Sequence, residues 1–157
     1  MLNFFASDAQ AVKLLHDLDW DTWFYAPGFP PKPNFDTSLV DVCYALADRW
    51  ESLTAETSAA GKDRFSPKPE DIDGWTANQI VVFLERVQDF ETTLRKQDVR
   101  AMGKVYGFDK SKNVEVVSRY FRVGLKSRDE DVYQPTAELL GTTGRMKFVR
   151  PLYVVYS

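Results

Sequence analysis

Apolar residues recur at helical spacing over most of this chain. Ser7 and Gln10 are placed as a capping box, and Ala11, Val12, Leu14, Leu15 and Leu18 follow, so a short helix is predicted from about residue 8 to 18. Leu39, Val42, Cys43, Leu46, Ala47, Trp50 and Leu53 fall at steps of three and four, the strongest periodic run in the chain. Asp36, Thr37 or Ser38 can cap that helix, and Gly61 is placed to stop it. A second capping box, Thr76 with Gln79, precedes Ile80, Phe83, Leu84 and Val87. Further helices are predicted over about 95–106, ended by Gly107, and over about 112–127 around Val116, Val117, Tyr120, Phe121 and Leu125. A last one, over about 129–141, contains Pro135, where it is kinked or begins, and is closed by Gly141 and Gly144. Only the terminal "FVRPLYVVYS" reads as a strand, and on β propensity alone.

The pattern predicts an all-α chain of short helices whose neighbours pack as antiparallel hairpins. No repeat at a fixed period is evident. Two segments interrupt the helical pattern. "WDTWFYAPGFPPKPNFD", Trp20 to Asp36, holds two Trp and the prolines Pro27, Pro30, Pro31 and Pro33, and reads as neither helix nor strand, with a turn at Gly28. "KDRFSPKPEDIDG", with Pro67 and Pro69, reads as a second loop.

Composition narrows the classes. The 157 residues, 44% hydrophobic and 14% aromatic, suffice for one folded domain with a core. A net charge of -3 gives no basic surplus for nucleic acid and no acidic tail. One cysteine, Cys43, allows no internal disulfide; it reads as a small buried hydrophobe, which suits a cytosolic protein. "MLNFFASDAQAVKLL" lacks a basic region ahead of its apolar residues, so no signal peptide is expected. No apolar run approaches the roughly 18 residues of a membrane helix.

Recognisable catalytic chemistry is missing. His16 is the only histidine, which excludes a His-Glu-x-x-His zinc motif, and there is no cysteine cluster and no glycine-rich phosphate loop. His16 reads as a helix C-terminal residue beside free carbonyls rather than as a base. "EDID", Glu70 to Asp73, lacks calcium-loop spacing. One basic cluster stands out: in "GTTGRMKFVRP", Arg145, Lys147 and Arg150 lie within six residues, after two glycines. A guanidinium fork plus an ammonium is a clamp for a carboxylate; the plainer reading is a solvated loop.

Two segments carry a family resemblance. "DLDWDTWFYAPGFPPKPNFDTSLVDVCYALADRW" (Asp17 to Trp50) and "LGTTGRMKFVRPLY" (Leu140 to Tyr153) resemble the C-terminal domain of the leukotriene A4 hydrolases and their fungal aminopeptidase relatives, with "DIDGWTANQIVVFLE" and "VEVVSRYFRVGLKSR" fitting in order between them. The resemblance implies a right-handed α-α superhelix of armadillo-like type, incomplete at its C-terminus. It implies that residues 1–26 are the tail of a missing catalytic domain, 27–36 a semi-rigid Pro-rich linker that Trp20, Trp23, Phe24, Tyr25 and Phe29 bury against both neighbouring domains, and 37–157 the helical domain. Family members are zinc enzymes that cleave N-terminal residues from peptides, and some open the epoxide of leukotriene A4. The matching residues of the G-R-M-K-F motif, Arg145 and Lys147, are implied to grip the substrate carboxylate. Zinc and its ligands are implied to lie in the absent domain, so no cofactor, metal ligand or catalytic residue is expected in this chain. The implied partners are that catalytic domain and a peptide or lipid-epoxide carboxylate, and the implied location is the cytoplasm, with the nucleus also open.

Family chains continue beyond "RPLY" into further helices. The chain therefore reads as a truncated paralogue, a fragment of a split gene or an isolated domain. It is expected to be marginally stable, with Phe148, Leu152 and Tyr153 partly exposed. Two other functional readings stand beside this one. One is a free-standing armadillo-like interaction module; the other is a small enzyme with an unrecognised site, which the lone histidine disfavours.

Overall fold

Asp8, not Ser7, starts the first helix. Its carboxylate accepts from the backbone N–H groups of Gln10 and Ala11 at 3.0 Å each. The computed structural model describes residues 4–29, 35–55 and 65–156. The described elements are helical: α1 (Ala9–Asp17), α2 (Trp20–Phe24), α3 (Ser38–Ala55), α4 (Ala77–Gln88), α5 (Lys96–Tyr106), α6 (Val114–Lys126), α7 (Tyr133–Thr142) and α8 (Met146–Tyr156). Short 3-10 turns lie at Pro69–Ile72, Phe108–Lys110 and Glu130–Val132, and there is no strand among the described residues. The all-α expectation holds. The chain divides into two units, Met1–Asp36 and Thr37–Ser157.

In the first unit, the stretch read as neither helix nor strand contains α2. Its prolines all come after Phe24, so nothing in "WDTWF" forbids a turn of helix. Asp19 caps it by accepting from the Thr22 N–H at 3.1 Å. Trp20 donates its indole N–H to the Leu15 carbonyl at 2.7 Å and stacks on Phe24. Trp20, Trp23, Phe24, Tyr25 and Phe29 are exposed in this chain, which does not contain the catalytic domain against which the resemblance implies that they pack. Gly28, at φ +101°, makes the expected turn. Pro30, Pro31 and Pro33 lie outside the described residues, as does Gly61.

The second unit is built around α6, which packs against α4, α5, α7 and α8, while α3 packs on α4. The predicted run in α3 buries Cys43, Leu46, Ala47, Trp50 and Leu53; Leu39 and Val42, at its start, stay exposed. The centre is aromatic. Tyr106 lies 6.0 Å from Trp50, 6.2 Å from Phe83 and 5.4 Å from Phe108, ring centre to ring centre, and Phe108 reaches Tyr120 at 6.2 Å. Burying each large ring contributes about 2–3 kcal/mol relative to leaving it in water. The polar tips are satisfied: Trp50 donates to the Tyr106 hydroxyl at 3.2 Å, and Tyr106 donates to Asp71 at 3.0 Å. Gly107 ends α5 at φ +68°, as its position predicts. Gly103 lets α5 approach α6 so closely that an added Cβ would run into the Tyr120 hydroxyl.

The C-terminal part departs from the sequence pattern. Pro135 lies in the first turn of α7, which resolves kink against start in favour of start; Gly141 falls inside α7, and Thr143 caps its end. The terminal segment read as a strand is α8, and it carries Pro151 inside it. Phe148 and Leu152, one helical turn apart, are 5% and 1% exposed, so the expectation that both are partly exposed does not hold; Tyr153 is exposed. Packing against α6 overrides the β propensity of a Val- and Tyr-rich stretch.

Candidate functional site

The basic cluster sits at the start of α8. The Arg145 carbonyl accepts from the N–H groups of Phe148 and Val149 at 2.9 and 3.2 Å, so the residue marks the entry into the helix. The first turn of α8 carries no acidic side chain. Two cations at a helix N-terminus oppose the helix dipole, an arrangement that favours a bound anion rather than the stability of the helix itself. The Arg145 guanidinium lies 5.9 Å from the centre of the Phe148 ring, and the Lys147 ammonium 5.5 Å from it. Arg145 is exposed and forms no ion pair among the described residues. Arg150, the third residue of the cluster, is exposed and does not share these contacts.

Lys147 is not free. Its ammonium donates to Glu115 Oε1 at 2.6 Å, from α8 to the first turn of α6. The other oxygen of Glu115 accepts from Arg119 at 2.8 Å, and Arg119 also donates to Glu85 on α4 at 2.8 Å. Lys147 first and Arg119 second hold the Glu115 carboxyl below the usual carboxylate range. Glu115, Arg119 and Arg122 lie four and three residues apart, on one face of α6. In the sequence they pass for the charges of a solvated helix; that spacing is the signal that could have exposed them, but their link to Lys147 is a contact over some thirty residues. Lys147, Ser118, Arg119, Arg122, Phe148 and Pro151 help to line a cleft of about 70 Å³ between α4, α6 and α8.

The remaining candidate groups are structural. Cys43 is buried, donates to the Leu39 carbonyl at 3.2 Å, and burial pushes its thiol up. His16 is exposed in the last turn of α1. In "EDID", Asp71 accepts from the Lys68 N–H at 2.7 Å and from Tyr106, closing a 3-10 turn. A larger cavity of about 260 Å³ lies between Arg100, Lys104, Tyr120 and the fully buried Asp129, which accepts from Arg100 at 2.6 Å. Among the described residues, no group of three or more His, Cys, Asp or Glu side chains could hold a metal ion. These residues therefore do not fit a zinc centre.

Residues 75–156 match the family model described as "Leukotriene A4 hydrolase, C-terminal". The chain belongs to that family. Leucine aminopeptidase 2 of Aspergillus terreus is 60% identical over 153 residues, which make up 98% of this chain and 24% of that protein. The leukotriene A-4 hydrolase homolog of Botryotinia fuckeliana is also 60% identical over 153 residues, 98% of this chain and 22% of that protein. Native leukotriene A4 hydrolase from Saccharomyces cerevisiae superposes with a TM-score of 0.77 at 32% identity, over 98% of this chain and 26% of that one. The chain thus spans about a quarter of the length of the relatives it matches and corresponds to the C-terminal domain of such enzymes. Relatives that carry the segment within longer enzymes do not favour a free-standing interaction module. No described helix is long and apolar enough to cross a membrane.

Proposed function

We propose that this leukotriene A4 hydrolase-type domain holds the carboxylate of a peptide or lipid-epoxide substrate, and so forms one wall of an active-site cleft whose catalytic centre lies in another domain. Arg145 is the anchor and Lys147 its assistant. The carrying observation is the exposed Arg145 guanidinium, with no ion-pair partner among the described residues, at the N-terminus of a helix that has no acidic residue in its first turn. A guanidinium meets a carboxylate with two parallel N–H donors, and an ammonium adds a point charge. Neither group moves a proton in this role; they position the substrate. Glu115 uses one of the three ammonium donors of Lys147 and leaves two for a ligand.

On this reading residues 1–26 belong to the end of a zinc-bearing aminopeptidase domain, 27–36 link it to the helical part, and 37–157 are that part. The zinc chemistry and any epoxide hydrolysis reside outside this chain, and the protein works in the cytoplasm or the nucleus. The test is a titration of the 157-residue chain with trialanine and with trialanine amide, followed by backbone NMR. The free acid is expected to bind and to shift the resonances around 145–148, and the amide is not. Arg145→Ala is expected to remove the difference; equal binding of acid and amide contradicts the proposal.

A further inference from the structure

The cleft beside Lys147 holds three cations in unequal states. Arg119 is the most heavily engaged: it donates to the Glu85 carboxylate at 2.8 Å, to the Glu115 carboxylate at 2.8 Å and to the Glu115 carbonyl at 2.9 Å. Lys147 has committed one donor to Glu115. Arg122 is half-buried, and its Nε is shut away from solvent without any partner. Its guanidinium makes no hydrogen bond or ion pair among the described residues. Only Nε is closed off; the terminal nitrogens of the same guanidinium are not, so an arriving anion can reach the charge there without displacing a protein partner. The cleft wall next to it is apolar, from Phe148, Pro151 and the buried Leu152, which strengthens any charge interaction made there. Against the three cations only one acidic residue, Glu85, lines the cleft.

We propose that Arg122 is a further carboxylate-binding residue, and that the cleft it shares with Lys147 takes the carboxylate group of the ligand. The inference rests on the carboxylate reading of Arg145 and Lys147. It adds a donor from α6 to the two from α8: Lys147 lines the cleft together with Arg122, and Arg145 stands two residues before it at the start of α8. Arg119 takes no part in binding; with Glu115 it holds Lys147 in place. The cleft is small, about 70 Å³, so it suits a group of a few atoms and not a ring.

The experiment uses the 157-residue chain and the same two probes, trialanine and trialanine amide. In the unmodified chain, the Arg122 Nε–H resonance is expected to shift with the acid and to stay fixed with the amide. This readout needs no variant and does not depend on how well one folds. Arg122→Gln is expected to weaken binding of the acid about tenfold, without changing the response to the amide, and Arg122→Lys is expected to restore part of the loss. An Arg122 signal that ignores the acid, with Arg122→Gln binding as the unmodified chain does while Arg145→Ala loses binding, overturns this inference and leaves the proposed function standing. Acid and amide binding alike in the unmodified chain overturns both.

Discussion

At the residue scale, the charges around Lys147 form a chain, Lys147–Glu115–Arg119–Glu85, in which each member is partly exposed and each contact is 2.6 to 2.8 Å. Glu115 is held between the two cations of this chain. Its folded pKa lies below the ordinary value of 4.5, because both partners favour the charged form. A depressed carboxylate contributes stability that is present above the unfolded pKa and lost as pH falls through the folded one. Glu115→Gln is therefore expected to lower the urea midpoint near neutral pH, and the gap to the unmodified chain is expected to close as the pH drops below about 4. A gap that stays constant down to pH ~3 contradicts the ion-pair account. For binding, Arg145→Ala is expected to weaken trialanine about tenfold or more, since a charge-assisted bidentate contact disappears; Lys147→Ala is expected to cost less. Arg145 and Lys147 stand out as candidates in the sequence because they lie two residues apart in a motif. Arg122 and Glu115 do not: Glu115 is distinguished by a partner on another helix, and Arg122 by its place in a cleft where it has none.

At the element scale, α3, α4, α5 and α6 follow the apolar period closely, since each has one face against a common core. The period fails at the two ends. In α2 the count of prolines hides five residues free of them, and in α8 Val, Tyr and Pro mask the pairing of Phe148 with Leu152. Propensity is a local quantity, and the burial of those two residues against α6 is not. Leu152→Ala is expected to destabilise the chain by about 2–5 kcal/mol, as for other fully buried leucines, and to do so cooperatively in urea. If α8 were an unpacked end, the same change would leave the midpoint where it was. Gly103 makes a second claim about packing. Its replacement by Ala forces the Tyr120 ring away from the α5–α6 contact and is expected to cost about 1–3 kcal/mol. Burial also pushes the Tyr120 hydroxyl up to about 12. A raised pKa leaves its contribution intact below the ordinary value of 10.0 and removes it as pH climbs through the folded value.

At the scale of the molecule, the family assignment and the missing chemistry belong together. The described residues offer no metal-holding cluster, and the matched relatives are about four times as long as this chain. The all-helical architecture was legible from periodicity and the family from the Trp-Pro and G-R-M-K-F segments, whereas which residues stay exposed in the chain by itself was not. Phe148 and Leu152 were expected to be partly exposed and are buried. Purified alone, the 157 residues are expected to show no turnover of an Ala- or Arg-initiated tripeptide and to bind no stoichiometric zinc, measured on the same sample. Turnover with one zinc per chain would mean that carboxylates outside any recognised motif form a centre.

The most direct measurement is the comparison of trialanine with trialanine amide on the unmodified chain by backbone NMR. The account predicts saturable shifts around Arg145, Lys147 and Phe148 with the acid and none with the amide. Shifts of equal size with both, or shifts confined to other parts of the chain, would contradict it.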